Sequence, residues 1–133
     1  REAYNKIEKY AIHFEANGLW SLIKGYLGVN GDGNSVIGFT VYSHGETPGL
    51  GGEVSKAWFG QQFIGKTLTN SDGEFVSIWY SKAKVEDKYN EQDAKNYIDA
   101  ISGSTLTSKG LARDLRRDLL KYESLSSKLR SNI

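Results

Sequence analysis

The stretch that most narrows the fold is Asn30-Gly31-Asp32-Gly33-Asn34, five consecutive residues of the types that accept the positive φ angles of tight reversals. It is flanked on both sides by alternating apolar residues. Before it, Ile23, Gly25, Leu27 and Val29 share one face of an extended chain; after it, Val36 to Ser43 sets Ile37, Phe39 and Val41 on one face. The pattern predicts an antiparallel hairpin. Upstream, Tyr10, Ile12 and Phe14 alternate with Ala11, His13 and Glu15, a further strand broken by Asn17-Gly18.

The other organising pattern lies late in the chain. Leu111, Leu115, Leu119, Tyr122, Leu125 and Leu129 recur at helical spacing, which predicts one helix over about 108–129. Arg113, Asp114, Arg117, Asp118 and Lys121 occupy its opposite side and read as a solvated charge face. Between these regions, Val54 to Phe63 reads as a short helical or irregular segment carrying Trp58 and Phe59. Phe75 to Tyr80 reads as a buried strand, Lys82 to Ala94 as an exposed charged loop, and Arg1 to Lys9 as a helix-compatible lead-in. Antiparallel strands with a long late helix and shorter helices give an α+β fold. The 133 residues suffice for a single domain, 1–133.

Composition removes several functions. A net charge of +1 without a basic block leaves no nucleic-acid footprint. With no cysteine there is no disulfide, thiolate metal site or iron–sulfur ligation. No run approaches the roughly 20 apolar residues of a membrane helix. Gly49-Leu50-Gly51-Gly52-Glu53-Val54 places Val where a dinucleotide fingerprint needs its third glycine, and no Walker A sequence exists. His13 and His44 have no second ligand at metal spacing, so no metal site is expected. Glu86 and Asp87 sit in a charged loop with nothing apolar to separate their pKa values, and no catalytic residue is assigned.

What remains is a binding constellation. Ser102, Gly103, Ser104, Thr105 and Thr107 form a small, hydroxyl-rich turn that opens into the late helix. The first N–H groups of a helix lack intrahelical partners and the helix dipole favours anions there, so the turn can hold a phosphate. Ser and Thr at such positions also cap helices with no ligand involved, and spacing alone leaves both readings open. A second glycine-rich loop, His44-Gly45-Glu46-Thr47-Pro48-Gly49-Leu50-Gly51-Gly52, has the backbone freedom common in ligand-holding loops.

The run Asp99-Ala100-Ile101-Ser102-Gly103-Ser104-Thr105-Leu106-Thr107 resembles the flavinylation motif of the covalent-FMN-binding domain family. That family is shared by the C-type subunit of the sodium-translocating NADH:quinone oxidoreductases and the G-type subunit of Rnf complexes. The chain departs from its pattern at Ser104 and Ala100, both small-for-small. The GETPGLG loop resembles a second segment of the family, and the likeness takes in Gly18-Leu19-Trp20 and Trp58, covering about 18–122. Gly18-Leu19-Trp20 and the His44 to Gly52 loop favour the branch found in the sodium-translocating enzymes.

The resemblance implies FMN attached covalently to Thr105 as a phosphoester. Ser102, Gly103, Ser104, Leu106, Thr107 and Ser108, with Lys109 as countercharge, would surround the phosphate. Glu46, Thr47, Gly49, Leu50 and Gly51 would lie along the flavin, and Trp20 or Trp58 over its face. It further implies an electron-transfer subunit without a complete active site of its own, relaying electrons from NADH towards quinone in a sodium-pumping complex of the bacterial inner membrane. The implied partners are the other subunits of that membrane NADH:quinone oxidoreductase complex and, during maturation, an FMN transferase using FAD as donor. The domain would lie on the periplasmic side behind an N-terminal membrane anchor preceding Arg1. An Rnf-type subunit, or a flavin-free extracytoplasmic binding or scaffold domain, stands as the alternative.

Overall fold

The computed structural model describes residues 7–131; the expected lead-in over residues 1–6 lies outside them. Strands β1 (Lys9–Asn17), β2 (Leu22–Asn30) and β3 (Val36–Ser43) form an antiparallel sheet in that spatial order. A 3₁₀ turn (Gly51–Ser55) and the short helix α1 (Ala57–Gln61) follow. Strand β4 (Trp79–Ser81), helix α2 (Val85–Lys88) and strand β5 (Tyr97–Asp99) come next, with β4 and β5 paired in parallel. Helices α3 (Thr105–Leu120) and α4 (Glu123–Ser131) close the chain, and the whole is α+β. Among the described residues no helix is long and apolar enough to cross a membrane.

The core lies between one face of the three-stranded sheet and the later elements. Ile12, Phe14 and Ala16 of β1 meet Ile23, Leu27 and Val29 of β2, all buried, and Leu111, Leu115 and Leu119 of α3 close over them. The period-2 reading of β1 and β2 therefore holds residue by residue. In β3 it does not. Val29 pairs with Val36 while Gly28 pairs with Gly38, so Ile37 is an extra residue, a β-bulge, and every inward position is displaced across it. Val36 is buried on the core side and Ile37 is exposed instead of sharing the face of Phe39 and Val41. A second bulge at Tyr42 sets its ring near His13 and Tyr26.

Helix α3 runs against the edge of the sheet, where β1 has no further strand to pair with among the described residues. The solvated-face reading of its charges fails at two residues: Asp114 is 5% exposed and Asp118 is 3% exposed. Asn17 N–H donates to Asp114 Oδ2 at 2.7 Å, and Glu15 N–H donates to Asp118 Oδ2 at 2.8 Å. Arg117 Nη2 in turn donates to the Glu15 carbonyl at 2.6 Å. The helix thus supplies, through side chains, the acceptors and donor that another strand would have supplied. Gly110 makes the approach possible, because a Cβ there would lie 2.0 Å from the Asn17 carbonyl oxygen.

Hydrogen bonds from Arg113 and the Asn17 N–H hold the Asp114 carboxyl below the usual carboxylate range. Burial pushes the Asp118 carboxyl up, but hydrogen bonds from Arg117, the Glu15 N–H and Lys121 outweigh it, and its pKa is also low.

Three further readings change. The expected single late helix breaks at Lys121-Tyr122, where i to i−3 bonds to Asp118 and Leu119 tighten the end of α3. Helix α4 then turns under the sheet: Tyr10 and Ser126 hydroxyls meet at 2.6 Å, and Arg130 Nη1 donates to the Gly33 carbonyl at 3.0 Å. The expected strand over 75–80 is reduced to β4, because the Leu68 carbonyl accepts from both Val76 and Ser77 N–H groups and Ser77 adopts φ +67°. The expected loop over 82–94 contains α2 and the start of a 3₁₀ turn, Asp93–Asn96.

Two outcomes are expected. Gly110→Ala, favoured by helix propensity alone, destabilises by about 1–3 kcal/mol in urea unfolding because the added methyl separates α3 from β1. With both aspartates titrating low, their contribution to stability is complete above about pH 4 and is lost as pH falls through their folded-state values. The unfolding midpoint of Asp114→Asn followed from pH 6 to 2 should therefore fall less steeply than that of the parent.

Candidate functional site

The glycine-rich loop is tied down by one carboxylate. Glu46, 4% exposed, receives the Leu19 N–H (2.8 Å) and the Thr107 hydroxyl (2.8 Å) on Oε1. Its Oε2 receives the Trp20 N–H (3.0 Å) and the Ser21 hydroxyl (2.7 Å). Burial alone would raise its pKa; the four donors outweigh that and hold it below the ordinary value. Glu46 therefore joins the β1–β2 connection, its own loop and the first turn of α3. Gly51 permits this closeness, since a Cβ there would lie 2.6 Å from Thr107 Oγ1.

That arrangement decides what happens at the helix start. Ser104 is the N-cap residue of α3, yet no side chain caps the helix. The Ser104 hydroxyl donates instead to Thr107 Oγ1 at 3.1 Å, and Thr107 passes the chain of hydrogen bonds to Glu46. Of the two readings left open by the sequence, the simple cap is the one the structure contradicts. Thr105, the first helical residue, opens onto a cleft of about 590 Å³ lined by Gly49, Trp58, Lys82, Lys84, Ser102 and Gly103 among others. Gly49 and Gly103 adopt φ +80° and +76°, conformations open to glycine at no steric cost.

Asp99 has a structural part here. Its Oδ1 accepts the Val85 N–H at 2.8 Å, and its own N–H donates to Gln62 Oε1 at 2.8 Å, fixing the start of α2 beside the cleft. This brings in Lys82 and Lys84, which the sequence pattern assigns to an exposed loop. Their signal is faint: two lysines near one carboxylate that lies far along the chain.

The expected site residues divide into groups. Thr105, Ser102, Gly103, Gly49 and Trp58 line the cleft. Ser104, Thr107 and Glu46 are buried beneath it in the hydrogen-bond relay, and Ser108 Oγ accepts the Ile101 N–H at 3.1 Å. The Thr47 carbonyl accepts from Leu50 and Gly52 N–H groups, folding the loop on itself, while Leu50 lies beside Gly103. Gly51 packs over Thr107. Trp20, 71% exposed, is not among the residues lining the cleft. Leu106, 61% exposed, and Lys109 line a separate depression with Leu19 and Arg113. Among the described residues no group of three or more His, Asp or Glu side chains comes together to hold a metal.

Comparison with known proteins matches this geometry to a family. A model described as FMN-binding domain matches residues 18–118. The C-type subunit of the Na(+)-translocating NADH-quinone reductase of Neisseria meningitidis serogroup A is 39% identical over 106 residues, which take in 80% of this chain and 38% of that protein. Its Pasteurella multocida counterpart is 42% identical over 106 residues, 80% of this chain and 38% of that one. Among solved structures, the corresponding protein from Parabacteroides distasonis superimposes with a TM-score of 0.79 at 37% identity, covering 92% of this chain and 59% of that one. Shewanella oneidensis NqrC gives 0.69 at 29% identity, covering 92% and 55%. The chain thus spans about two fifths of the length of the curated relatives it matches.

Glu46→Ala would remove the common acceptor of the Leu19 and Trp20 N–H groups and of two hydroxyls, so it is expected to cost about 2–4 kcal/mol. Chemical denaturation checks this. Hydrogen exchange at the amides of residues 105–107 should slow in Thr107→Val, where the Ser104 hydroxyl is released to cap the helix.

Proposed function

The chain belongs to the FMN-binding domain family, and from that premise we propose that it is the flavin-carrying domain, residues 1–133, of the C-type subunit of a sodium-translocating NADH:quinone oxidoreductase. The observation that carries this reading is the uncapped start of α3, whose first residue, Thr105, lines a cleft with Lys82 and Lys84 on its wall.

The residues present fit FMN. The phosphate would be held as an ester of Thr105 Oγ1, its remaining charge stabilised by the helix N-terminus and the two lysines. Ser102 and Gly103 would flank it, and Gly49 leaves room for a planar ring system to approach the backbone, with Trp58 and Leu50 excluding water from its faces. Glu46, Ser104 and Thr107 act from below, keeping the helix start open. Trp20 and Leu106 would face a neighbouring chain, given their exposure. FMN, once bound, supplies reversible redox chemistry; this chain binds, orients and shields it.

Covalent attachment suits a carrier that must keep its cofactor through many turnovers whatever its non-covalent affinity. In the assembled enzyme the domain would pass electrons onward from NADH towards quinone, on the periplasmic side of the inner membrane. An N-terminal anchor would precede Arg1, the other subunits of the complex would surround it, and an FMN transferase would load it.

Intact mass after co-expression with and without an FMN transferase tests the reading. The expected result is a gain of one FMN less one water, confined to the peptide containing Thr105. Thr105→Ala should lose the adduct completely while its unfolding free energy stays within about 0.5 kcal/mol of the parent. An adduct that persists in Thr105→Ala would overturn the assignment.

A further inference from the structure

A second cavity, of about 300 Å³, lies away from the flavin cleft, between β4, β5 and the segment from Tyr89 to Asn96. Its walls include Trp79, Tyr89, Tyr97, Asp93, Asn96 and Ser77. We infer that this cavity binds a guanidinium group, a flat cation bearing N–H donors.

Three observations, two of them at Ser77, point to a ligand. First, Ser77 is fully buried, and its hydroxyl has no hydrogen-bond partner, an uncommon state for a buried polar group. Second, Ser77 is the non-glycine residue with positive φ among the described residues, at +67°, and such local strain concentrates where a chain holds something. Third, the walls are electron-rich. Tyr89 and Tyr97 stack with ring centroids 4.0 Å apart and planes 9° from parallel, and Trp79 stands beside Tyr97 in the paired strands.

Two of the polar groups among these walls, on Asn96 and Asp93, present acceptors. The Asn96 amide nitrogen is engaged by the Thr67 and Thr69 carbonyls at 2.9 and 3.0 Å, leaving its carbonyl oxygen as the acceptor. Asp93 contributes a carboxylate, and among the described residues no Lys or Arg lines the cavity. Lys88 Nζ already sits 5.4 Å from the centroid of the Tyr89 ring, a cation drawn to the same aromatic row. Burial above all, with the adjacent Tyr89 and Asp93, pushes the Tyr97 phenol up, which keeps its hydroxyl neutral.

The acceptors decide the kind of cation. A quaternary ammonium satisfies aromatic faces but donates nothing to Asn96 or Asp93. A guanidinium does both, stacking by its plane and donating at its edge. The group can arrive as a free small molecule or as an arginine side chain of a neighbouring chain; the chemistry recognised is the same.

The three tryptophans of the chain give the readout. In the flavin-free Thr105→Ala chain, so that the result does not depend on the flavin reading, indole N–H signals are followed by NMR at constant ionic strength. Methylguanidinium is titrated against tetramethylammonium and sodium. The expected result is a saturable shift of the Trp79 signal with methylguanidinium while those of Trp20 and Trp58 stay still, about tenfold weaker affinity for tetramethylammonium and none for sodium. Asp93→Asn, at an exposed position, should weaken binding about tenfold. Ser77→Gly, which keeps the backbone conformation and removes the hydroxyl, should weaken it several-fold. An arginine-containing tripeptide that binds more tightly than methylguanidinium would identify a protein side chain as the source, and equal binding a free ligand. Linear drift of all three signals, or binding indifferent to Asp93→Asn, would overturn the inference.

Discussion

The charge of Glu46 is the constraint on which the site rests. A carboxylate so deeply buried is tolerated only because four donors converge on it, and three of those four come from the residues that end the β1–β2 connection. The fourth, Thr107, reaches it from the first turn of α3. Removing the hydroxyl of Thr107 from the backbone, and with it that of Ser104, leaves the helix dipole unanswered by any side chain of its own. The fold thereby forgoes a cap, worth about 1 kcal/mol, and leaves the start of α3 open. A local rule of helix stability is broken where α3 borders the cleft.

Helix α3 is held in position by a different device. Asp114 and Asp118 satisfy the outer N–H groups of β1, and Gly110 removes the side chain that would keep helix and strand apart. A sheet edge normally invites another strand; here it is closed by a helix carrying the right acceptors at four-residue spacing, which matches two residues of strand. The same contact sets the height at which Thr105 meets the cleft.

Much of this was legible in the sequence. The α+β class, the hairpin about Asn30 to Asn34, the inward faces of β1 and β2 and the start of α3 at the hydroxyl-rich turn follow from periodicity and turn chemistry. The bulge at Ile37 did not, because a single inserted residue leaves the alternation intact on paper while reversing its faces. The burial of Asp114 and Asp118 is hidden in the sequence, since i to i+3 pairs with arginine and lysine are what a solvated face looks like, and the unpaired edge of β1 is a tertiary fact. The break at Lys121-Tyr122 carries neither glycine nor proline; α4 turns there because Ser126, Leu129 and Arg130 find partners under the sheet. At the site, the residue types were visible but their division was not: which hydroxyls face the cleft and which face Glu46 depends on a contact 61 residues apart in sequence.

That separation has a kinetic meaning. The hydroxyl-rich turn sits near the C-terminal end, whereas its organising carboxylate belongs to the middle of the chain and the amides it gathers to the beginning. Such loops close late and at entropic cost, so the surroundings of Thr105 come into being with the last long-range contacts of folding. An unfolded chain carries the hydroxyl-rich turn without presenting its shape. Thr105 thus reports completion: its neighbourhood exists only in a molecule whose three distant segments have already met.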